Sequence, residues 1–225
     1  MPHIGQVDMI LADPPYGTTA CKWDSIIPLD RMWEQLKRIV KPNGAIVMTA
    51  SQPFTTTLIS SNMGMFKYCW VWKKTMASNF AQAKKQPFKK HEDVCIFYTA
   101  QPVYNPQMEI GKPYKDNRDD GSRNASVGSG KDVRRIPINN GGTRYPSSIQ
   151  VFSNGNNGNV HPTQKPVALM EYMIKTYTNE GETILDFTIG SGTTAVAAQK
   201  TGRRWIGIEK EKQYCDITIK RLEEE

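Results

Sequence analysis

Short apolar runs alternate with amphipathic stretches through both ends of the chain, and this alternation restricts the fold more than any other feature. Val7 to Ala12 is a mostly apolar run ended by Asp13-Pro14-Pro15, which is how a buried strand reads. Asp30 to Val40 puts Met32, Trp33, Leu36, Ile39 and Val40 on one helical face, and Lys41-Pro42-Asn43-Gly44 stops it. Ala45 to Thr49 reads as a strand, Thr55 to Asn62 as a helix, and Tyr68 to Trp72 and Asp93 to Tyr98 as further strands. From Pro166 the pattern resumes: helix Val167 to Tyr177, strand Thr183 to Asp186, helix Thr193 to Lys200, strand Trp205 to Ile208 and helix Lys212 to Leu222. Strands alternating with helices predict an open, mostly parallel, twisted α/β sheet with helices on both faces.

Between these blocks, residues 100–160 lose their apolar period. Gly, Asn, Ser, Pro and Arg dominate, with turn-rich patches at Gly128-Ser129-Gly130 and Asn139-Asn140-Gly141-Gly142. A connection this long in a compact chain is functional or disordered. Charge follows the same division. Of the formal +7 on 225 residues, 1–66 carry 0, 67–165 carry +9 and 166–225 carry −2. Positive charge gathered in one region attracts polyanions, nucleic acid first among them. No apolar run approaches the ~18–20 residues of a membrane helix. The start, Met1-Pro2-His3-Ile4-Gly5-Gln6, has no basic and then apolar signal, so a cytoplasmic protein without membrane contact is expected. Cys21, Cys69, Cys95 and Cys215 are scattered with no CxxC, and the three histidines form no ligand cluster. Neither a zinc site nor a disulfide is expected.

Two short segments carry chemistry. Asp13-Pro14-Pro15-Tyr16 follows the first strand directly. Its prolines fix φ, hold the preceding backbone extended and present carbonyl oxygens without competing N–H groups. A carboxylate and an aromatic ring stand beside them. The cluster suits an exocyclic amino group on a flat ring: Asp13 and the Pro14 carbonyl accept its two hydrogens, and Tyr16 stacks on the ring. The plainer alternative is a proline-rich turn capped by Asp. The second segment, Asp186-Phe187-Thr188-Ile189-Gly190-Ser191-Gly192-Thr193, joins a strand to a helix. Its glycines let a ligand approach the backbone closely, and Glu209 ends the next strand, where an acidic residue can hold ribose hydroxyls. The full GxGxxG is absent, and Asp186 lies where it would disfavour a pyrophosphate at the helix N-terminus. An adenosine ligand with a cationic or zwitterionic tail fits better.

Together with His161-Pro162-Thr163-Gln164-Lys165-Pro166, these segments resemble the amino-methylating DNA methyltransferases that use S-adenosyl-L-methionine. The tetrapeptide comes first and the cofactor loop near the C-terminus, which is the circularly permuted β-type order. The resemblance implies a Rossmann-like, circularly permuted methyltransferase fold with a loop-rich insertion. Residues 1–99 and 161–225 would form the catalytic domain, and about 73–160 the target-recognition region, loop-rich from 100. It implies methyl transfer to N6 of an adenine flipped out of double-stranded DNA. Asp heads the tetrapeptide, whereas cytosine-N4 enzymes more often have Ser there. The alternatives are a cytosine-N4 enzyme and a non-catalytic, degenerate DNA-binding paralogue. Cytosine-C5 methylation would need a nucleophilic thiolate, typically in a Pro-Cys pair, and no cysteine here follows a proline.

On this resemblance Asp13, Pro14, Pro15 and Tyr16 are the catalytic residues. The cofactor would be held by His161, Thr163, Lys165, Asp186, Phe187, Gly190, Ser191, Gly192, Thr193 and Glu209. Among these, Asp186, Gly190 and Gly192 surround its amino-acid end, Glu209 meets its ribose, and His161, Thr163 and Lys165 lie beside its methionine. In the basic middle, Lys73, Lys74, Lys84, Lys85, Lys89 and Lys90 would contact phosphates. Arg118, Arg123, Arg134, Arg135 and Arg144 would read guanines or grip the backbone. Trp70-Val71-Trp72 reads as core, and Trp23-Asp24 as a border of the target pocket. The family's loop usually reads Asp-Pro-Phe where this chain has Asp186-Phe187-Thr188. The family also has a further strand and Gly-Asp loop ahead of the catalytic strand, which this sequence does not contain. An open sheet edge there makes a homodimer an expectation; a restriction–modification setting fits the family, but the sequence does not imply a cognate endonuclease.

Overall fold

The fold was analysed in a computed structural model that describes residues 1, 3–19, 21, 24–116, 138–154 and 164–224. In chain order the elements are β1 (Val7–Ala12), α1 (Leu29–Ile39), β2 (Val40–Ala50), α2 (Phe54–Ser61), β3 (Phe66–Ser78), β4 (Lys89–Phe97), β5 (Glu109–Ile110), β6 (Tyr114–Asp116), β7 (Ile138–Asn140), β8 (Thr143–Arg144), β9 (Ile149–Phe152), α3 (Val167–Tyr177), β10 (Thr183–Asp186), α4 (Thr193–Lys200), β11 (Arg204–Gly207) and α5 (Lys212–Glu223). They fall into two compact units, Met1–Asn105 with Ser147–Glu225, and Pro106–Pro146.

The larger unit is built on a seven-stranded sheet in the order β11-β10-β1-β2-β4-β3-β9. β4 runs antiparallel to both neighbours, and every other pairing is parallel. Helices cover both faces, so the central strands are apolar on both sides rather than alternating. Ile10, Ala12, Ile46, Met48 and Leu185 point to one face, where Trp33, Leu36 and Ile39 of α1 and Phe54 and Leu58 of α2 pack on them. Met9, Leu11, Ala45, Val47, Val94 and Ile96 point to the other, against Leu169, Met173 and Ile174 of α3 and Ala197 and Ala198 of α4. Trp70 and Trp72 are in this second core as the sequence predicts; Trp70 Nε1 donates to the Tyr177 hydroxyl at 2.7 Å and Trp72 Nε1 to the Phe152 carbonyl at 3.0 Å. At the start of β1, Asp8 accepts from Lys41 Nζ on β2 and from the Thr183 amide on β10 (2.9 Å), tying three strands together.

Three features differ from the sequence expectation. Lys41-Pro42-Asn43-Gly44 ends α1 but runs on as the first part of β2, whose register with β1 shifts there. The β3–β4 pair is longer than its apolar runs, because the polar Lys73 and His91 still pair across it. β9, hidden in the polar middle, adds in parallel to β3. At the opposite edge, β11 has β10 as its one strand neighbour among the described residues. The smaller unit consists of two short antiparallel pairs, β5 with β8 and β6 with β7. Within it the Arg144 guanidinium lies 4.8 Å over the Tyr114 ring and donates to the Lys112 carbonyl at 2.8 Å.

Candidate active site

β1 and β10 are adjacent and parallel, with Met9 beside Ile184 and Ile10 beside Leu185. From β1 the chain proceeds through α1 to β2 on one side; from β10 it proceeds through α4 to β11 on the other. The strand order therefore reverses between them, and the crevice beyond their C-terminal ends is where open α/β sheets bind ligands. Both motif segments emerge there.

On the β1 side, the Asp13 carboxylate is held by three donors. Its Oδ1 accepts from the Tyr16 hydroxyl (2.8 Å) and from Thr49 Oγ1 at the end of β2 (2.5 Å), and its Oδ2 accepts from Lys165 Nζ (2.7 Å). A carboxylate offers about four acceptor positions, so one stays free for an incoming N–H. Pro14 is buried, and the Tyr16 ring stacks on Phe54 with centroids 5.3 Å apart at 21°. Burial pushes the Tyr16 hydroxyl well above its ordinary range, and the negative charges of Asp13 and Glu92 push it further. Asp24 does not border this pocket as a free wall. Its carboxylate accepts the amides of Gly17, Thr18 and Thr19 at 2.7–2.9 Å and clamps the loop after the tetrapeptide. Burial opposes its ionisation, but these bonds outweigh burial and hold the carboxyl below its usual range. Trp23 lies outside the described residues.

On the β10 side, Asp186 is buried. Its Oδ1 accepts the Thr188 amide (2.9 Å) and its Oδ2 the Thr194 hydroxyl (2.6 Å), which closes the turn onto the first turn of α4. Burial raises its carboxyl to about 7 against the pull of those hydrogen bonds, with Asp13 adding repulsion. Phe187 is buried in the same core cluster as Leu185, so packing fixes the backbone that enters the turn. Gly190 (φ 52°) and Gly192 (φ 83°) adopt left-handed backbone. A Cβ on Gly190 would meet only Thr188 O, at 3.9 Å, whereas on Gly192 it would strike Thr218 at 2.6 Å. The first glycine thus leaves open space over its backbone, and the second is required by packing. Glu209, just past β11, accepts the Gly190 amide with Oε2 (3.0 Å) and the Lys210 and Glu211 amides with Oε1 (2.8 and 2.9 Å). Ser191 and Thr193 are buried, and Ser191 Oγ donates to Gln164 Oε1 (3.3 Å), which brings the end of the 161–166 motif against the turn. An adenosine group fits this donor set: open backbone at Gly190 and a carboxylate reaching it from the next strand.

Lys165, expected beside the cofactor, reaches the tetrapeptide. It is buried, its Nζ joins Asp13, and it lies 3.4 Å from Glu92 Oε2 on β4; Glu92 Oε1 in turn meets Lys74 Nζ of β3 at 2.5 Å. Lys74, expected on a phosphate-facing surface, is therefore a buried ion-pair member lying 4.9 Å over the Trp72 ring. Sequence reading missed Thr49 and Glu92 altogether. Lys73, Lys84, Lys85 and Lys90 are exposed and Lys89 is half-buried, all on or near the β3–β4 hairpin. Asn79 closes its tip by accepting the Lys89 amide (2.7 Å), and Phe80 and Phe88 are exposed there with rings 5.2 Å apart. β3 is parallel to β1, so this tip lies beyond the same sheet edge as the crevice. His161, Thr163, Arg118, Arg123, Arg134 and Arg135 lie outside the described residues. Cys69 and Cys95, far apart in sequence, pair across β3–β4 with sulfurs 3.6 Å apart as free thiols. No described helix is long and apolar enough to cross a membrane.

A switch-point crevice with a glycine turn on one side and a rigid acceptor cluster on the other is a geometry that suits a nucleoside ligand set against a polar flat ring. Comparison with known proteins makes the class specific. A DNA methylase family model of the N6/N4 type matches residues 7–220, and the chain belongs to that family. The type II methyltransferase M2.DpnII of Streptococcus pneumoniae is 30% identical over 247 residues, covering 97% of this chain and 83% of its own. The crystal structure of the M1.HpyAVI–SAM complex superposes with a TM-score of 0.65 at 26% identity, over 97% of this chain and 90% of that one. The cytosine-N4-specific PvuII DNA methyltransferase shares the fold with a TM-score of 0.68 at 15% identity, over 98% and 82%. The chain is thus a DNA methyltransferase of the amino-methylating family with S-adenosylmethionine as its methyl donor.

Proposed function

We propose that the chain methylates N6 of adenine in double-stranded DNA. The observation that carries this reading is the Asp13 carboxylate, gripped by Tyr16, Thr49 and Lys165 with an acceptor position to spare, beside a buried Pro14 and a stacking Tyr16. A flipped adenine would lie on Tyr16 and give its amino hydrogens to Asp13 and the Pro14 carbonyl. S-adenosylmethionine supplies an electrophilic methyl when bound. The chain's own contribution is to hold the amino nitrogen with fixed acceptors that are already oriented. Asp186, Phe187, Gly190, Ser191, Gly192, Thr193 and Glu209 would form the cofactor side, with Glu209 exchanging a backbone amide for a ribose hydroxyl, and His161 and Thr163 would complete it. Lys73, Lys84, Lys85, Lys89 and Lys90 on the β3–β4 hairpin would contact phosphates. Arg118, Arg123, Arg134, Arg135 and Arg144 would act within a target-recognition region at about 73–160.

Mass spectrometry of nucleosides from DNA methylated in vitro tests this, with Asp13→Ala as the control. N6-methyladenine is expected from the wild type and none from the variant, which should keep its cofactor affinity. N4-methylcytosine would assign the other base, and robust methylation by Asp13→Ala would remove Asp13 from the chemistry.

A further inference from the structure

Four charged side chains from four separate segments form one buried line of alternating sign: Asp13 after β1, Lys165 before α3, Glu92 on β4 and Lys74 on β3. The links are 2.7 Å (Asp13–Lys165), 3.4 Å (Lys165–Glu92) and 2.5 Å (Glu92–Lys74), and the Lys74, Glu92 and Lys165 side chains are each about a tenth exposed or less. Asp13 is the most exposed of the four, at 27%. A buried charge costs several kcal/mol unless paired, and here each interior charge is neutralised by its neighbours. We propose that Glu92 and Lys74 are positioning residues for methyl transfer: Glu92 shares Lys165 with Asp13 and so fixes the ammonium that orients the acceptor carboxylate, and Lys74 fixes Glu92 in turn. This rests on Asp13 being the acceptor of the target amino group.

Elementary electrostatics gives the line a purpose. As the methyl–sulfur bond gives way to a methyl–nitrogen bond, positive charge passes from sulfur to the amino nitrogen beside Asp13, and that nitrogen then loses one proton to water. Lys165 alone would oppose that charge, and a carboxylate behind Lys165 offsets that opposition in a water-poor site. The groups facing the Lys165–Glu92 pair are Asp13 and Tyr16 from the β1 loop, Lys74 from β3 and Lys89 from the start of β4. Burial works against the Lys165 ammonium, but Asp13 and Glu92 outweigh it and raise its proton affinity. Burial likewise works against the Glu92 carboxylate, and Lys165 and Lys74 outweigh it and lower its pKa.

The sign of each perturbation follows. Glu92→Gln takes one anion from Lys165, so Lys165 loses its proton at lower pH and the alkaline limb of the rate moves down. Lys74→Met takes one cation from Glu92, so Glu92 gains a proton at higher pH and the acidic limb moves up. In the wild type both limbs lie outside pH 5.5–9.5, with Lys165 raised above its ordinary 10.5 and Glu92 held below its ordinary 4.5; single-turnover transfer of tritiated methyl to phage DNA lacking methylated bases, followed over that range, reads whether Glu92→Gln brings an alkaline decline into it and Lys74→Met an acidic one. We expect Glu92→Gln to be slower by about tenfold to a hundredfold, as when a reacting group is misplaced by an ångström or less, with cofactor affinity by calorimetry little changed. Because Lys74 acts only through Glu92, Glu92→Gln/Lys74→Met should be no slower than Glu92→Gln alone. A wild-type rate with no alkaline decline below pH 9.5 in Glu92→Gln overturns the proposal, as does a double variant slowed by the product of the two single losses. If Glu92→Gln does not fold, the acidic limb of Lys74→Met decides. Titration of Lys165 by NMR of ¹³C-labelled lysine reads the same displacement without turnover: an unchanged midpoint in Glu92→Gln overturns the line of charges, whereas a lowered midpoint in a protein that methylates no DNA overturns the functional reading and leaves the line standing.

Discussion

Asp186→Asn should remove much of this protein's loss of stability between acidic and neutral pH. The Asp186 side chain is buried at the end of β10, where burial lifts its carboxyl from an ordinary 3.8 to about 7. At about 1.4 kcal/mol per pH unit, that displacement amounts to about 4 kcal/mol. The unfolded chain releases this proton near pH 4 and the folded chain near pH 7, so between those values the folded state binds the extra proton. Unfolding free energy therefore falls as pH rises: the advantage is complete below pH 4 and gone once pH passes 7. Asparagine keeps a carbonyl oxygen for the Thr188 amide and an amide group beside the Thr194 hydroxyl, which can rotate to accept. It cannot ionise, so its curve lacks this descent. Urea unfolding of both proteins at pH 4.5, 6 and 8 measures the difference, which should change by several kcal/mol across the series in favour of the variant at pH 8. Parallel curves would show that Asp186 ionises normally in the fold and refute the reasoning. The same displacement makes cofactor binding release a proton if the cationic amino-acid end settles near Asp186. Calorimetry in two buffers of different ionisation enthalpy detects that release, which Asp186→Asn abolishes.

Glu209→Ala removes an acceptor from three backbone amides and from the proposed ribose contact; a cofactor affinity lower by about tenfold, near 1.4 kcal/mol, is expected by calorimetry, with Glu209→Gln intermediate. Gly192→Ala forces a Cβ to 2.6 Å from Thr218 at a φ of 83°, so it should cost about 2 kcal/mol or more in chemical unfolding and weaken cofactor binding with it. Five lysines of the β3–β4 hairpin engaging phosphates would give DNA affinity a slope of about −4.5 against log salt, and Lys84→Ala/Lys85→Ala should flatten it by about two; a slope unmoved by this change would take the hairpin out of the interface.

The sequence discloses those elements whose own residues carry the instruction. β1, α3, β10 and α4 have the bounds that apolar period and punctuation predict, because each is buried along its length and ends at proline, glycine or a polar cluster. β9 is different. Ile149 and Val151 face solvent, at 54% and 59% exposure, so its alternation is inverted and it is only four residues long. It becomes a strand because β3 offers an edge, with Val71 donating to the Ser148 carbonyl at 2.8 Å, and no local pattern encodes that edge. The polar extensions of β3 and β4 were hidden for the same reason: each is held by its partner strand rather than by a core.

The site divides in the same way. Asp13 to Tyr16 and Asp186 to Thr193 are contiguous, so their chemistry is visible in the letters. Thr49, Lys74, Glu92 and Lys165 act on Asp13 or on one another from as far as 152 positions away. Yet the alternation held a clue. Trp70, Trp72 and Lys74 share one face of β3, as Glu92, Val94 and Ile96 share one face of β4, and the pleat that buries the tryptophans must also bury the lysine. An inward lysine continuing an apolar alternation is tolerable only with an inward acid close by, and the antiparallel register that sets Trp72 beside Glu92 supplies one. A charge pair on two such strands is closed on itself and has no reason to reach further. What extends it is Lys165, drawn from the far end of the sequence and set between Glu92 and Asp13, so that residues of β3 and β4 govern a carboxylate that neither of them touches.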